Sequence, residues 1–146
     1  MLDFESLPLY WVNRLSAAAR RDLRNRFKAA GRDVSPEEWA VLNLLWRKDR
    51  QPSGKMADRT VRDATTMTRL VDGMVKKGMV MRRPDAGDRR RLLICLTEKG
   101  RGLQPILVEL ARPLIEQSMA GISAQDAAIA HRVLAKMTEN IVGGTE

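Results

Sequence analysis

The chain has 146 residues, one domain's length, and 26 Lys+Arg against 18 Asp+Glu give it a formal net charge of +8 and a pI near 10.4. An apolar content of 44% excludes general disorder. No apolar run approaches the roughly 18 residues of a membrane helix, Met1 to Glu5 does not resemble a signal peptide, and a single cysteine (Cys95) and histidine (His131) leave no internal disulfide and no His/Cys zinc site. The expectation is a cytoplasmic protein with no membrane segment, no metal and no cofactor. The charge is also uneven. Residues 1–46 hold 7 basic and 6 acidic side chains, residues 47–101 hold 16 and 7, and residues 102–146 hold 3 and 5. The basic excess therefore lies in the middle third, the footprint of a nucleic-acid-binding segment between near-neutral flanks.

In chain order, Leu7 to Ala30 reads as a first helix, with Trp11, Leu15, Ala18, Ala19, Leu23 and Phe27 as its apolar stripe. Ser35 as N-cap, Pro36 at N1 and Glu38 at N3 form a capping box that opens a second helix, buried through Trp39, Leu42, Leu45 and Trp46 and ending before Pro52. Ser53 to Val61 reads as a short third helix with Met56 and Ala57 inward. Asp63 caps a fourth running to Lys77, whose core stripe is Met67, Leu70, Val71 and Met74 and whose C′ residue is Gly78. Met79 to Arg83 and Leu92 to Leu96 are strand-like and enclose a basic turn from Pro84 to Arg91. Thr97 caps a fifth helix containing Leu103, Ile106, Leu107, Leu110 and Leu114, which Pro105 and Pro113 are expected to bend. Ser123, with Asp126 at N3, caps a last helix carrying Ile129, Val133, Leu134, Met137 and Ile141.

A short helix, a turn, a helix with a polar outer face and a hairpin make a winged helix-turn-helix. The expected fold is mainly α, with a two-stranded β-wing and flanking dimerisation helices. Residues 34–100 would form the DNA-binding lobe, and residues 1–33 and 101–146 the dimerisation helices of one domain. At about 100° per residue, Thr65 and Arg69 lie opposite Met67, Leu70 and Met74, with Thr66, Thr68 and Lys76 flanking them. Threonine donates, accepts and offers a methyl to thymine, while arginine reads guanine in a bidentate manner, so this face suits the major groove. Ser53, Lys55 and Arg62 are candidate phosphate contacts around it. Asp88, Arg89, Arg90 and Arg91 sit at the hairpin tip, where three adjacent cations suit the negative potential of a minor groove and Asp88 can orient one of them.

Residues 69–102, above all Asp-Arg-Arg-x-x-x-x-x-Leu-Thr-x-x-Gly at 88–100, resemble the signature of the MarR family of bacterial transcriptional regulators. Val34 to Trp39, followed by Val41-Leu42, is similar to that family's second helix. The resemblance implies a homodimer joined through the first and last two helices, with one winged helix per subunit on a pseudo-palindromic operator. It also implies, as in many members, a small aromatic or anionic ligand between the dimer region and the DNA-binding lobe that lowers DNA affinity. By position, Thr65, Thr66 and Arg69 fall where the family reads bases, Arg90 on its wing-tip arginine and Asp88 on the partner acid. The chain departs from the pattern in two places: Thr60 to Asp63 lacks the glycine often found in that turn, and the first helix has no cysteine of the kind used to sense peroxide. Cys95 lies in an apolar strand-like run and reads as core, while Gly73 interrupts the fourth helix.

The function expected is sequence-specific double-stranded DNA binding by a ligand-responsive repressor. The alternatives are a winged-helix DNA binder without ligand control and a protein-interaction module. Trp11, Trp39 and Trp46 are candidates for lining the ligand cleft. The apolar stripes on the first, fifth and sixth helices exceed what one small lobe covers, which a C2 dimer would bury. An enzyme is not expected. Ser53-Gly54-Lys55 lacks the rest of a phosphate loop, no G-x-S-x-G or G-x-G-x-x-G is present, and His131 sits in a helix with no nucleophile nearby in sequence.

Overall fold

A computed structural model describes residues 1–60 and 62–143. After a 3-10 turn at Phe4–Ser6, the elements are α1 (Pro8–Ala29), α2 (Pro36–Arg47), β1 (Gln51–Pro52), α3 (Ser53–Thr60), α4 (Ala64–Lys76), β2 (Val80–Pro84), β3 (Leu92–Leu96), α5 (Glu98–Met119) and α6 (Ala124–Val142). Val61, expected at the end of the third helix, lies outside the described residues.

The caps fall where the sequence places them. The Ser35 hydroxyl accepts from the Glu38 N–H at 3.1 Å, while the Glu38 carboxylate accepts from the Ser35 N–H at 2.9 Å. Asp63, Thr97 and Ser123 accept from Thr66, Gly100 and Asp126 N–H groups, respectively. Gly78 adopts φ 75°, the left-handed conformation that lets the chain leave α4 and enter β2. α5 runs unbroken through both Pro105 and Pro113.

β2 and β3 pair antiparallel from Val80↔Leu96 to Pro84↔Leu92, forming the expected two-stranded wing. A third strand joins them, giving the order β1-β3-β2 with Gln51 opposite Ile94. Its cause lies in a side chain. Gln51 is buried, and its amide donates to the carbonyls of Leu44 and Lys48 at 3.0 and 2.5 Å, closing the end of α2 and pinning residue 51 beside the sheet. Two polar-and-proline residues carry no strand periodicity, so this strand was not foreseen.

The core gathers Phe27 of α1, Leu42 and Leu45 of α2, Met56 of α3, Met67, Val71 and Met74 of α4, Val80 and Ile94 of the sheet, and Leu107 of α5. Cys95 is buried beside it, as expected of a core thiol; burial, with Asp49 nearby, pushes its pKa up and away from reactivity. The periphery is different. None of the residues of α6 is buried, and Ile129, Val133, Leu134 and Ile141 are 40–76% exposed. Trp11 and Leu15 on α1, and Ile115 and Met119 on α5, are likewise exposed.

Candidate nucleic-acid interface

α4 turns Met67, Val71 and Met74 into the core and leaves Thr65, Thr66, Thr68, Arg69 and Lys76 exposed. The five are not equivalent. Thr66 donates its hydroxyl to Asp63 at 2.8 Å, and Thr68 donates its own to the Ala64 carbonyl at 2.9 Å. These two hydroxyls are engaged within the helix, leaving lone pairs and methyls to face outward. The Thr66 N–H and hydroxyl also hold the Asp63 carboxyl below its usual pKa, so the cap stays ionised. Thr65 and Arg69 make no side-chain hydrogen bond or ion pair among the described residues, and they form the open part of the face.

One acidic residue shares that face and was missed by the sequence reading. Asp72 follows Arg69 at a helical step and pairs with Arg82 of β2 at 2.8 Å; the same guanidinium donates to the Thr68 carbonyl at 3.4 Å. Arg82 thus neutralises an acid that would repel phosphate and fastens the wing strand to α4. The helical step from Arg69 to Asp72 was legible, but the strand residue that meets it was not.

The wing tip is an ordered turn. Asp85 N–H donates to Arg91 C=O at 2.8 Å, Arg91 N–H to Asp88 C=O at 3.0 Å, and Arg90 N–H to the Asp88 carboxylate at 3.1 Å. Asp88 also lies 3.7 Å from Arg90 Nε, and Asp85 lies 3.6 Å from Arg91 Nε. The Arg90 side chain is nevertheless 97% exposed, and Arg89 has no ion-pair partner among the described residues. The tip presents cations whose backbone is already fixed.

The three expected phosphate contacts divide. Lys55 is exposed and Ser53 half-buried at the start of α3. Arg62 is half-buried, its Nε buried and, among the described residues, without a hydrogen-bond partner, and it is close enough to Glu37 for their charges to interact. Glu37 is in turn ion-paired with Arg20 of α1. Burial pushes the Glu37 carboxyl up, but the Arg20 hydrogen bond, its own N–H and the charges of Arg20 and Arg62 outweigh that and hold it below the usual range.

The tryptophans also divide. Trp39 packs edge-on to both Phe27 and Trp46, each at 5.6 Å, and Trp46 Nε1 donates to Gly100 C=O at 3.0 Å. Trp11 does not join them. It stands at the start of α1, packs against Tyr10 and donates to Glu5 C=O. A single lining of three tryptophans is therefore not formed within the chain, because Trp11 lies near the opposite end of α1 from Phe27.

A separate cleft of about 420 Å³ opens where α4 ends, with Arg32, Lys76, Lys77 and Lys99 around Met79 and Leu103. Lys77 is committed there. Its ammonium donates to Glu38 at 2.8 Å and to the Asp33 carboxylate and carbonyl at 3.1 and 3.2 Å. Burial lowers its pKa, yet the bonds to Glu38 and Asp33 prevail and raise it. Among the described residues no group of three or more His, Cys, Asp or Glu side chains is placed to hold a metal, and no helix is long and apolar enough to cross a membrane.

The fold is that of a winged helix-turn-helix protein, with long helices before and after the lobe. Residues 34–92 match the MarR family. The regulator MhqR of Bacillus subtilis is 36% identical over 70 residues, covering 48% of each chain. The repressor NicR of Pseudomonas putida is 30% identical over 101 residues, or 68% of this chain and 64% of NicR. The alignments thus span about half of MhqR and just under two thirds of NicR. The solved MarR-family regulator from Silicibacter pomeroyi superposes with a TM-score of 0.79 at 28% identity, covering 94% of this chain and 92% of that one. Residues 34–92 thus carry the MarR-family match, and the fold as a whole is shared with that solved MarR-family regulator. These relatives bear the names of transcriptional regulators rather than enzymes.

Proposed function

We propose that the protein is a sequence-specific repressor that binds double-stranded DNA as a homodimer and is released by a small acidic ligand. The observation that carries the DNA-binding reading is the pairing, on one lobe, of an open Thr65–Arg69 helix face with an ordered wing whose Arg90 is free of burial. Thr65, Arg69 and Lys76 enter the major groove, with Thr66 and Thr68 contributing methyls, and Arg89, Arg90 and Arg91 follow the backbone into the minor groove. Ser53 and Lys55 contact phosphate. Arg62, half-buried near Glu37, lies at the edge of this phosphate-binding set. NicR's name as a transcriptional repressor supports the sign of the regulation.

The second copy covers α6 and the outer parts of α1 and α5. Exposed leucines, isoleucines and valines repeat along these helices at core spacing, and residues 1–33 and 101–143 serve as the dimerisation region around a lobe spanning 34–100. Ligand control is supported by the cleft at the end of α4. Arg32, Lys76 and Lys99 line it beside the Lys77–Asp33 pair, and that excess of cations favours an anionic solute.

The test is selection of bound sites from random duplex DNA, followed by binding across a salt series. A selected pseudo-palindrome and a steep fall of affinity with salt are expected. Binding that is weak and equal on every sequence would refute the reading.

A further inference from the structure

We propose that the cleft at the end of α4 is built for a small phosphate monoester rather than for acids at large. The inference rests on the ligand-control reading above and narrows its ligand to one chemistry. Three separate parts of the chain meet at the cleft: the loop after α1, the end of α4 and the first turn of α5. Each brings one exposed cation, namely Arg32, Lys76 and Lys99. Like charges gathered from distant places in the sequence repel, yet none of the three has an ion-pair partner among the described residues. The carboxylates at hand, Asp33 and Glu38, are engaged by Lys77, whose three ammonium hydrogens they and the Asp33 carbonyl use up. Four cations and two carboxylates leave two positive charges unanswered. A phosphate monoester near pH 7 carries about −1.5 to −2 and three terminal oxygens, which matches that excess.

The cations are mounted on fixed backbone. At the end of α1 the Arg32 N–H donates to the Phe27 carbonyl at 2.8 Å and the Gly31 N–H to the Lys28 carbonyl at 3.0 Å, with Gly31 at φ 71°, a helix stop that sets where Arg32 begins. Lys99 Nζ donates to the Lys77 carbonyl at 2.7 Å, which orients the ammonium and leaves two of its hydrogens for a ligand. Arg32 and Lys76 make no side-chain hydrogen bond among the described residues. A guanidinium fork suits two phosphate oxygens at once, and ammonium groups on either side suit the third. A monocarboxylate has two oxygens and one charge, and leaves one positive charge unanswered. The apolar members of the lining, Met79 and Leu103, are only 1% and 7% exposed, so the walls offer little to an apolar body. The volume of about 420 Å³ falls within the range of about 300–1,000 Å³ typical of small-molecule sites. Lys76 connects this site to the DNA face. At about 100° per residue it returns to within about 20° of Thr65 on α4, so a phosphate held in the cleft takes up a cation offered to DNA.

The experiment is calorimetry on the full-length protein, free of DNA and at fixed ionic strength, with glycerol 3-phosphate, glycerate and malonate as probes. Malonate matches the charge of the phosphate but not its geometry, and glycerate matches its size but not its charge. Glycerol 3-phosphate should bind at least about tenfold tighter than either, the worth of one further charge-assisted hydrogen bond. Arg32→Gln and Lys99→Gln should each weaken it by about tenfold. Both residues are exposed and neither change strands a buried charge, so a thermal melt without ligand should be unchanged. Lys136→Gln, on α6, should leave phosphate binding as it is. A second arm measures operator affinity with and without saturating glycerol 3-phosphate. The proposal is overturned if malonate or glycerate binds as tightly as the phosphate, which would leave an anion-responsive regulator of another ligand class. It is also overturned if no probe binds and Arg32→Gln and Lys99→Gln instead lower affinity for random duplex and its salt slope, since the cleft would then hold a DNA phosphate. Tight binding of glycerol 3-phosphate that leaves operator affinity unchanged would uphold the phosphate site and refute the ligand-control reading beneath it.

Discussion

Gly100 and Gly102 are two residues apart on the first turns of α5, and alanine should act on them with opposite sign. At Gly100 an added Cβ would stand 2.1 Å from the Met79 carbonyl oxygen and 3.2 Å from Leu96 Cδ2. The nearest atom belongs to backbone that is also held by the Thr97 N–H, so it has no rotamer by which to move away. Overpacking of this kind costs about 1–3 kcal/mol, and a contact this short against main chain lies at the upper end. Alanine recovers about 1 kcal/mol of helix propensity, so Gly100→Ala should destabilise by about 2 kcal/mol. At Gly102 nothing lies within 4 Å of the added Cβ, and only the propensity term remains. Gly102→Ala should therefore stabilise by about 0.5–1 kcal/mol. The assay is urea unfolding of both variants and wild type at one protomer concentration, because the proposed subunit association would enter the apparent stability. A Gly100→Ala midpoint indistinguishable from wild type, with unchanged m-value, would refute the close approach of α5 to Met79.

Four further outcomes follow from the same geometry. Arg69→Ala should cost about 1–3 kcal/mol on the selected operator and much less on random duplex, flattening one position per half-site in a selected-site comparison; an unchanged site preference with uniform loss would make Arg69 a phosphate contact. Arg90→Ala should lower the magnitude of the salt slope by about 1 per lost contact, once in each half-site, and unchanged affinity would place the wing off the DNA. Leu134→Glu, on an α6 face already exposed in the single chain, should convert the dimer to a lower-mass species in light scattering, and a dimer of unchanged mass would put the interface elsewhere. The folded Glu37 carboxyl has a depressed pKa, so its contribution to stability is present above its unfolded value of about 4.3 and is lost as pH falls through the folded value. Glu37→Gln should flatten the stability profile below about pH 4.3, and an unaltered acid limb would show that the Arg20 pair does not form in solution.

Most of the scaffold could be read from the chain because its signals are local. Ser35 with Glu38, Asp63, Thr97 and Ser123 each cap the helix that follows, and a cap needs only residues three apart. The stripe of Met67, Val71 and Met74 likewise fixes which side of α4 faces out, and with it the position of Thr65 and Arg69. What stayed hidden depends on partners distant in sequence. Gln51 becomes part of the sheet through carbonyls of α2. Asp72 is neutralised by Arg82 ten residues on, and half-buried Arg62 comes near Glu37. Spacing could not decide between Trp11 and the Trp39–Trp46 pair, since all three occupy plausible helical core positions and only packing sorts them.

The stretch from Asp88 to Gly100 shows why a motif can be recognised correctly while its residues do different work. Its first part, Asp88 to Arg91, is an exposed turn whose carboxylate orders the backbone beneath the arginines. Its last part, Leu96-Thr97-Glu98-Lys99-Gly100, is a joint. Thr97 caps α5 through the Gly100 N–H and at the same time donates to Gly78 at the exit of α4, while Gly100 lacks the Cβ that would strike Met79. A side chain larger than hydrogen at residue 100 would push the cap away from the helix it steadies. The two parts are joined by β3, whose Ile94 and Cys95 are buried, so wing and joint are anchored on the same core. The run joins an exposed basic tip to the point where the lobe meets the long flanking helices. Loss of Thr97 or Gly100 should then affect operator selection through the seating of α4, although neither residue lies on the helix face or the wing tip proposed to meet DNA.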